Sequence, residues 1–435
     1  MNLKIEKMIY GGDGLSRLPA DASGRRQAVF IPFVLPAEEV DVTLTGQKPG
    51  FARARLNKVL SSSPQRGEPA CPYFSRCGGC HYQHTGYENQ LAIKEAILRE
   101  TLLRTAKLDW KTGIVIHSAE PWGYRNRTRF HVHGAVPSSF AAGFYQPGSH
   151  KLLPVEQCPV SSPLINRGLS AIWMLGRERK VPACIRELEF FANAADTRML
   201  LELYASSKLG TESKHLLANF CTELSSLLPE LAGAAVFVNE PGKPVVDKPV
   251  WSFAETAIHY QAAGHGFRVQ SGSFFQVNRY LVDKMVNIVT AGQSGQYALD
   301  LYAGTGLFSL PLANSFARVT AVESSPLSFG DLLRNVPANV EVECQSTEDF
   351  LLHPPKDIKP ELVVADPPRA GLGEKVVRAL RDLKSQRLVY VSCDPATLSR
   401  DLRGLIESGY HVDAIHLVDL FPQTFHLETV VQMSR

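Results

Sequence analysis

The sequence lacks a long hydrophobic run and carries no strong excess of either charge. Of its 435 residues, 44% are apolar and 20% are charged, and the formal net charge is +3. No stretch approaches the roughly 20 consecutive apolar residues of a membrane-spanning helix. The first residues also lack the apolar core of a signal peptide. We therefore expect a cytoplasmic protein without a membrane segment.

Cysteine is scarce, with eight residues in the chain. In a reducing compartment such a number is unlikely to form a disulfide framework, so clustered cysteines indicate a metal site and isolated ones indicate packing or chemistry. Low-complexity segments and internal repeats are also absent. The length exceeds what one hydrophobic core usually organises, which predicts two or three domains.

We divide the chain into three predicted domains, 1–62, 63–255 and 256–435. In the first, short alternating runs such as Ala28–Val34 and Glu39–Leu44 are separated by glycines, a pattern typical of a small antiparallel β-barrel. The second domain is predicted to have a mixed α+β fold.

The second domain contains two segments with specific expectations. A helix is predicted over 87–107 and is expected to pack on the C-terminal domain. Arginines alternate with aromatic residues from Trp122 to Phe130, which favours contact with nucleic-acid phosphates and bases. The alternative is an ordinary exposed strand that happens to carry arginines.

The third domain alternates apolar strand-like runs with helical stretches. The runs cover 296–302, 318–323, 361–366 and 387–393. This alternation predicts an α/β fold with a doubly wound, Rossmann-like parallel sheet.

Three cysteines, Cys71, Cys77 and Cys80, lie within ten residues in a loop that contains glycine. Cys158, which precedes a proline, is the natural fourth ligand. Four thiolates suit either tetrahedral zinc or an iron–sulfur cluster. The alternative is a set of reduced structural cysteines.

A glycine-containing turn follows the first strand-like run of the third domain, at Gly304 and Gly306, and Glu323 ends the next run. Glycine allows close approach of a bound nucleoside, and a carboxylate at this place can accept two hydrogen bonds from a ribose diol. A dinucleotide would require a third glycine for its pyrophosphate. The pattern therefore favours S-adenosylmethionine.

Two further strand ends carry reactive side chains. Asp366 begins Asp-Pro-Pro-Arg and can accept a hydrogen bond from N3–H of uracil, which cytosine lacks. Cys393 precedes a predicted helix, whose N-terminus we expect to lower the pKa of the thiol. A thiolate that adds to C6 of uracil makes C5 nucleophilic, and Glu428 is the candidate base for removal of the C5 proton.

These motifs, in their order, resemble the RNA uracil-C5 methyltransferase family. The set comprises Phe274–Asn278, the Asp300–Gly306 turn, Asp366–Arg369, Ser392–Pro395 and His426–Val430. The resemblance implies that Gln276, Tyr302, Glu323 and Asp366 bind the cofactor, that Cys393 is the nucleophile and that Glu428 accepts the proton. Asp366 can serve the cofactor, the uracil or both.

The remaining segments add to this resemblance. Residues 1–62 resemble a TRAM domain, a small RNA-binding barrel, and the cysteine spacing resembles the [4Fe–4S] loop of bacterial uridine methyltransferases. Together they favour 23S ribosomal RNA as the substrate over tRNA, and a monomeric enzyme. The alternatives are an RNA cytosine-C5 methyltransferase and a non-catalytic RNA-binding iron–sulfur protein.

Overall fold

The N-terminal segment forms a small β-barrel. The computed structural model describes residues 1–22, 24–133, 140–206, 208–238, 248–355 and 358–435. The barrel strands are β1 (Asn2–Lys4), β2 (Lys7–Met8), β3 (Asp13–Arg17), β4 (Ala28–Pro32), β5 (Glu39–Lys48) and β6 (Phe51–Ser61). Their order is β1-β5-β6-β4-β3-β2. Because β1 and β2 are successive parts of one segment, that segment pairs at both edges and closes the barrel, as predicted.

A helix and a short strand connect the barrel to the C-terminal sheet. They are α1 (Tyr87–Thr101), a π-helical turn (Leu102–Ala106) and β7 (Val115–His117). Leu98 and Leu102 are fully buried in the apolar cluster beneath that sheet. Strand β7 pairs in parallel with His416–Val418 at the edge of the sheet. The helix expected over 87–107 therefore packs against the C-terminal domain.

The central part is a mostly antiparallel sheet with helices packed on it. Its elements are β8 (Arg127–His133), β9 (Ala141–Tyr145), β10 (Leu152–Pro154), α2 (Pro163–Arg177), β11 (Ile185–Ala192), β12 (Met199–Ala205), α3 (Thr211–Leu227), β13 (Leu231–Val238) and β14 (Trp251–Ala254). The strand order is β10-β9-β8-β11-β12-β13-β14. Helix α2 is amphipathic, and its apolar side chains share a core with β11 and β12.

The C-terminal part is a doubly wound α/β sheet, which confirms the predicted fold class. Its elements are β15 (Ala257–Ala262), β16 (His265–Gln270), α4 (Val282–Thr290), β17 (Gly295–Leu301), α5 (Ser309–Leu312), β18 (Phe316–Val322), α6 (Pro326–Asn335), β19 (Val340–Glu343), α7 (Thr347–Leu352), β20 (Leu362–Ala365), α8 (Gly373–Leu383), β21 (Arg387–Ser392), α9 (Pro395–Glu407), β22 (His411–Val418) and β23 (Glu428–Ser434).

The strand order of this sheet sets the position of the site. The order is β19-β18-β17-β20-β21-β23-β22-β7, and the strands from β19 to β21 are mutually parallel. Strand β23 is antiparallel to β21. The carboxyl ends of the parallel strands therefore share one edge with the start of β23, where ligands bind in such sheets.

Across the part of the chain that the structure describes, we find no helix with the length and apolar character required to cross a membrane.

Candidate active site

One cavity at the carboxyl edge of the C-terminal sheet brings the predicted site residues together. Its volume is about 600 Å³. The predicted cofactor and catalytic residues all line it: Gln276, Tyr302, Glu323, Asp366, Cys393 and Glu428. Each lies at or beside a strand end, except Gln276, which lies in the loop after β16. Residues more than 150 positions apart thus face the same space.

One side of the cavity is shaped by hydrogen bonds from backbone amides to the Glu323 carboxylate. The amide of Gly304 donates to Glu323 Oε2 at 2.8 Å, and the amide of Ser325 donates to Oε1 at 2.6 Å. Tyr302, which follows β17, adopts a left-handed backbone with φ of 63°, a rare conformation for a residue with a side chain. The turn after β17 and the carboxylate after β18 are therefore fixed against each other.

Asp366 follows β20 and lies at the floor of the cavity. Gln276 donates to it through Nε2, at 3.5 Å from Asp366 Oδ2. Burial, followed by the negative charge of Asp300, raises the pKa of the Asp366 carboxyl to about 7. Asp300 is itself fully buried and has a pKa raised to about 7, chiefly by burial. Each carboxyl is therefore partly protonated near neutral pH.

Cys393 lies between the end of β21 and the start of α9, but the expected lowering of its thiol pKa is wrong. Burial, followed by the charges of Glu428 and Asp366, raises this pKa to about 12, although Arg369 acts in the opposite direction. The helix N-terminus is already occupied, because Asp394 Oδ1 accepts the amides of Ala396 at 2.9 Å and Thr397 at 3.0 Å. The thiol is therefore protonated in the free enzyme.

Glu428 is the first residue of β23 and is almost fully buried. Burial raises its pKa well above the usual value, the charge of Asp366 raises it further, and Arg369 opposes this effect. Two carboxyls, one thiol and one guanidinium thus share a space of low polarity. Such clusters of perturbed groups are typical of catalytic sites.

Two residues that line the cavity, Arg369 and His426, were not assigned a role from sequence. Arg369 Nη2 lies 3.3 Å from Nδ1 and 3.4 Å from Nε2 of His426. Burial and the charge of Arg369 lower the pKa of His426 to about 3, so its ring is neutral. Both residues belong to motifs that the sequence analysis identified. The spacing of those motifs did not predict that the two side chains, 57 positions apart, would pair.

The 419–427 loop, which connects β22 to β23, is held by three other parts of the chain. From α1, the Lys94 ammonium lies 2.5 Å from Asp419, and both side chains are fully buried. From the loop that carries the clustered cysteines, the amides of His81 and Tyr82 donate to the Gln423 carbonyl at 2.8 and 3.0 Å. The central part adds the Tyr124 hydroxyl, which donates to the Pro422 carbonyl at 3.0 Å. These contacts fix the approach to Glu428.

The arginines of the Trp122–Phe130 segment are partly committed to internal contacts. Arg127 is mostly buried, with its guanidinium 3.3 Å from Glu189 and 3.6 Å from Glu202. It also donates to the Ser273 carbonyl at 2.7 Å, next to the loop that carries Gln276. Arg127 is therefore committed to two carboxylates of the protein, and RNA contact by the rest of the segment stays a prediction.

The four predicted metal ligands line a second cavity of about 240 Å³. Cys71, Cys77, Cys80 and Cys158 are free thiols, and all four border it. Burial raises the pKa of Cys77 to about 11 and that of Cys80 to about 12, and the charge of Cys158 adds to both effects. Over the described ranges, no group of three or more His, Cys, Asp or Glu side chains is arranged to hold a metal ion.

Comparison with known proteins gives consistent results. The family model for tRNA (uracil-5-)-methyltransferases matches residues 86–351 and 355–435. An uncharacterised RNA methyltransferase of Aquifex aeolicus is 32% identical and is covered to 98%, with all of this chain aligned. Another from Thermosynechococcus vestitus is 31% identical, with the same coverage of both chains.

A solved structure shows the same fold over the full length. The tRNA (uracil-54, C5)-methyltransferase of Pyrococcus abyssi, in complex with S-adenosyl-L-homocysteine, matches with a TM-score of 0.76 and 23% identity, and each chain is covered to 100%.

Proposed function

The chain belongs to the tRNA (uracil-5-)-methyltransferase family and is an S-adenosylmethionine-dependent RNA methyltransferase, and from this premise we propose that it methylates C5 of a uridine through a covalent adduct on Cys393. The observation that carries the proposal is the single cavity lined by Gln276, Tyr302, Glu323, Asp366, Cys393 and Glu428. One thiol and three carboxyls therefore share one space.

The proposed chemistry begins at the thiol. Cys393 releases its proton to solvent and its sulfur adds to C6 of the uracil, so that the electrons of the C5–C6 double bond form an enolate with the adjacent carbonyl. C5 would then take the electrophilic methyl group that S-adenosylmethionine supplies, and the electrons of the broken carbon–sulfur bond would stay with the cofactor sulfur. Glu428 removes the remaining proton from C5, the C5–C6 double bond re-forms, and the thiolate leaves.

The raised pKa values bear on the order of these events. Because burial raises the pKa of both Cys393 and Glu428, ionisation of each group is opposed in the free protein and must be assisted during turnover. Arg369 favours the ionised form of each group, so it supports both deprotonations. It would also stabilise negative charge that develops on the uracil ring.

We propose that the base is recognised at the same carboxyl edge of the C-terminal sheet. Asp366 accepts from N3–H of uracil when it is ionised, and it retains a second oxygen for the cofactor side. Phe274, at the mouth of the cavity, is 60% exposed. A free aromatic face of this kind can stack on a base that has been flipped out of the RNA.

We propose that Cys71, Cys77, Cys80 and Cys158 hold a [4Fe–4S] cluster, with zinc as the alternative. The donor set and the shared cavity support this assignment, because four thiolates suit either group. The cavity of about 240 Å³ is several times the roughly 30 Å³ that a water molecule occupies in the liquid. Arg125 and Arg129 also line it. Because Arg129 is already paired with Glu189 at 2.7 Å, Arg125 is the lining arginine whose charge would balance those of the thiolates. When bound, the cluster would organise the cysteine loop.

We further propose that the enzyme is a cytoplasmic monomer and that 23S ribosomal RNA is its substrate. The barrel formed by residues 1–62 would bind RNA, the region 63–255 would present the cluster, and residues 256–435 would carry the reaction. tRNA is the second candidate, and it is favoured by the substrate named for the matching Pyrococcus enzyme.

The test is transfer of radiolabelled methyl groups to 23S RNA and to tRNA by protein that was purified without air, followed by nucleoside analysis. We expect label in 5-methyluridine of 23S RNA. Label confined to tRNA would overturn the substrate, and label in 5-methylcytidine would overturn the base.

A further inference from the structure

A side chain of the barrel reaches the loop that carries the nucleophile. Tyr10 lies in the turn between β2 and β3, and its hydroxyl donates to the carbonyl of Cys393 at 3.4 Å, across 383 positions in the sequence. Burial raises the pKa of Tyr10, and the charge of the Asp394 carboxylate raises it as well. The hydroxyl therefore lies between the backbone of the nucleophile and the cap of α9.

The ring of Tyr10 makes a second set of contacts with the 419–427 loop. It meets Phe425 edge-on, with ring centroids 5.4 Å apart and an angle of 89° between the planes. Phe425 in turn packs on His426, with centroids 4.3 Å apart, and His426 lines the active-site cavity. Edge-to-face pairs of this kind favour one relative orientation. Tyr10 thus contacts both the loop that carries Cys393 and the 419–427 loop, which leads into Glu428.

The turn that presents Tyr10 is fitted closely to its surroundings. Gly11 and Gly12 have φ values of 105° and 90°, a region that residues with side chains rarely adopt. A Cβ at Gly12 would lie 3.1 Å from the ring of His81. The turn therefore packs directly against His81, the residue that follows Cys80. Contacts of Gly12 with His81 and of Tyr10 with the loop that carries Cys393 fix the conformation of the turn.

We propose that Tyr10 is a positioning residue for methyl transfer: it holds the Cys393 backbone and the ring of Phe425 so that the thiol faces the bound base. The barrel would then be part of the reaction centre, in addition to any contact it makes with RNA. The proposal rests on the proposed function, in which Cys393 is the nucleophile. Its physical basis is that small displacements of a reacting group reduce the rate far more than they reduce binding.

The test compares Tyr10→Phe with a matched control, Tyr297→Phe. Tyr10→Phe keeps the ring and removes the hydroxyl, whereas Tyr297→Phe removes a hydroxyl that bonds Thr320 Oγ1 at 3.0 Å, outside the site. We expect Tyr10→Phe to lower kcat roughly ten-fold while KM for S-adenosylmethionine and for RNA stays within about two-fold. The control should match the unsubstituted enzyme. Tyr10→Leu, which also removes the ring, should lower kcat further.

A second readout needs neither RNA nor cofactor. The rate at which iodoacetamide alkylates Cys393, measured by mass spectrometry of its peptide, should increase in Tyr10→Phe and not in Tyr297→Phe, because the loop is less restrained. Unchanged kcat and alkylation in Tyr10→Phe would overturn the proposal. A raised KM for RNA with normal kcat would instead make Tyr10 an RNA contact. Full activity of Cys393→Ala would refute the proposed nucleophile, and the alkylation assay separates that failure from a failure at Tyr10.

Discussion

At the scale of single residues, the protonation of the site follows from burial. Asp366, Cys393 and Glu428 all have raised pKa values, and burial is the largest cause in each case. Burial favours the neutral form of each of these acids, and the neutral forms do not repel one another. Arg369 is the cation that opposes this effect at both the thiol and Glu428.

Glu428→Gln should stop the reaction after methyl transfer. The amide fills the same space but cannot accept the C5 proton, so the methylated base should remain attached to Cys393. The expected result is a protein–RNA adduct that survives denaturing gel electrophoresis and carries labelled methyl. Cys393→Ala/Glu428→Gln is the control and should form none. Free 5-methyluridine from Glu428→Gln at the normal rate would assign the base elsewhere.

Asp366→Asn should change how stability depends on pH. The folded pKa of Asp366 is raised, so its contribution to the free energy of unfolding is present at low pH and is lost as pH rises through about 7. The variant cannot ionise, so it should resist urea better than the unsubstituted enzyme above pH 7 and equally well in acid. Urea midpoints across pH measure this difference. A constant difference at every pH would contradict the account.

At the scale of elements, the 419–427 loop depends on a buried ion pair. Lys94 and Asp419 are 2.5 Å apart and fully buried, and Lys94 also donates to the Phe421 carbonyl at 3.0 Å. Removing one partner of such a pair leaves an uncompensated charge away from water. Helix α1 therefore contributes to the site although it lies far from it in sequence.

Lys94→Met should destabilise the protein by about 3–5 kcal/mol. Lys94→Met/Asp419→Leu should recover much of this loss, because neither charge is then left buried alone. Urea denaturation of both variants measures the two effects. If the double variant were as unstable as the single one, hydrogen bonding to the loop would matter more than charge.

The cysteine loop is the second element whose role can be measured. Cys80→Ser should reduce the iron and acid-labile sulfide of anaerobically purified protein, because one thiolate ligand is lost. Cys184→Ser is the matched control, since Cys184 is half-buried and does not border the cavity. Zinc in place of iron would support the alternative metal. Full iron content in Cys80→Ser would remove this residue from the ligand set.

At the scale of the whole molecule, the sequence predicted which residues lie at the carboxyl edge of the sheet. It did not predict the contacts between segments that are far apart in the chain. Asp366 and Cys393 follow apolar runs directly, so their position at the carboxyl ends of parallel strands could be deduced from pattern alone. The contact of Tyr10 with Cys393 could not, because nothing local in the sequence links segments 383 positions apart. The pairing of Arg127 with two glutamates of neighbouring strands was hidden for the same reason.

The thiol pKa shows a related limit. A cysteine that precedes a helix is a reasonable candidate for a lowered pKa, but the outcome depends on which groups fill the space around it. Asp394 takes the helix amides, and Glu428 arrives from β23. The cap by Asp394 is local and could be predicted from the motif, whereas the approach of Glu428 is decided by tertiary structure.

The central claim, covalent catalysis by Cys393, is tested most directly with RNA in which uridine is replaced by 5-fluorouridine. Fluorine at C5 cannot be removed as a proton, so the reaction should stop with the methylated base attached to the enzyme. After digestion, mass spectrometry should find the modified nucleotide on the peptide that contains Cys393, and only when S-adenosylmethionine is present. An adduct on another cysteine, or methylation of normal RNA without any trapped adduct, would contradict the account.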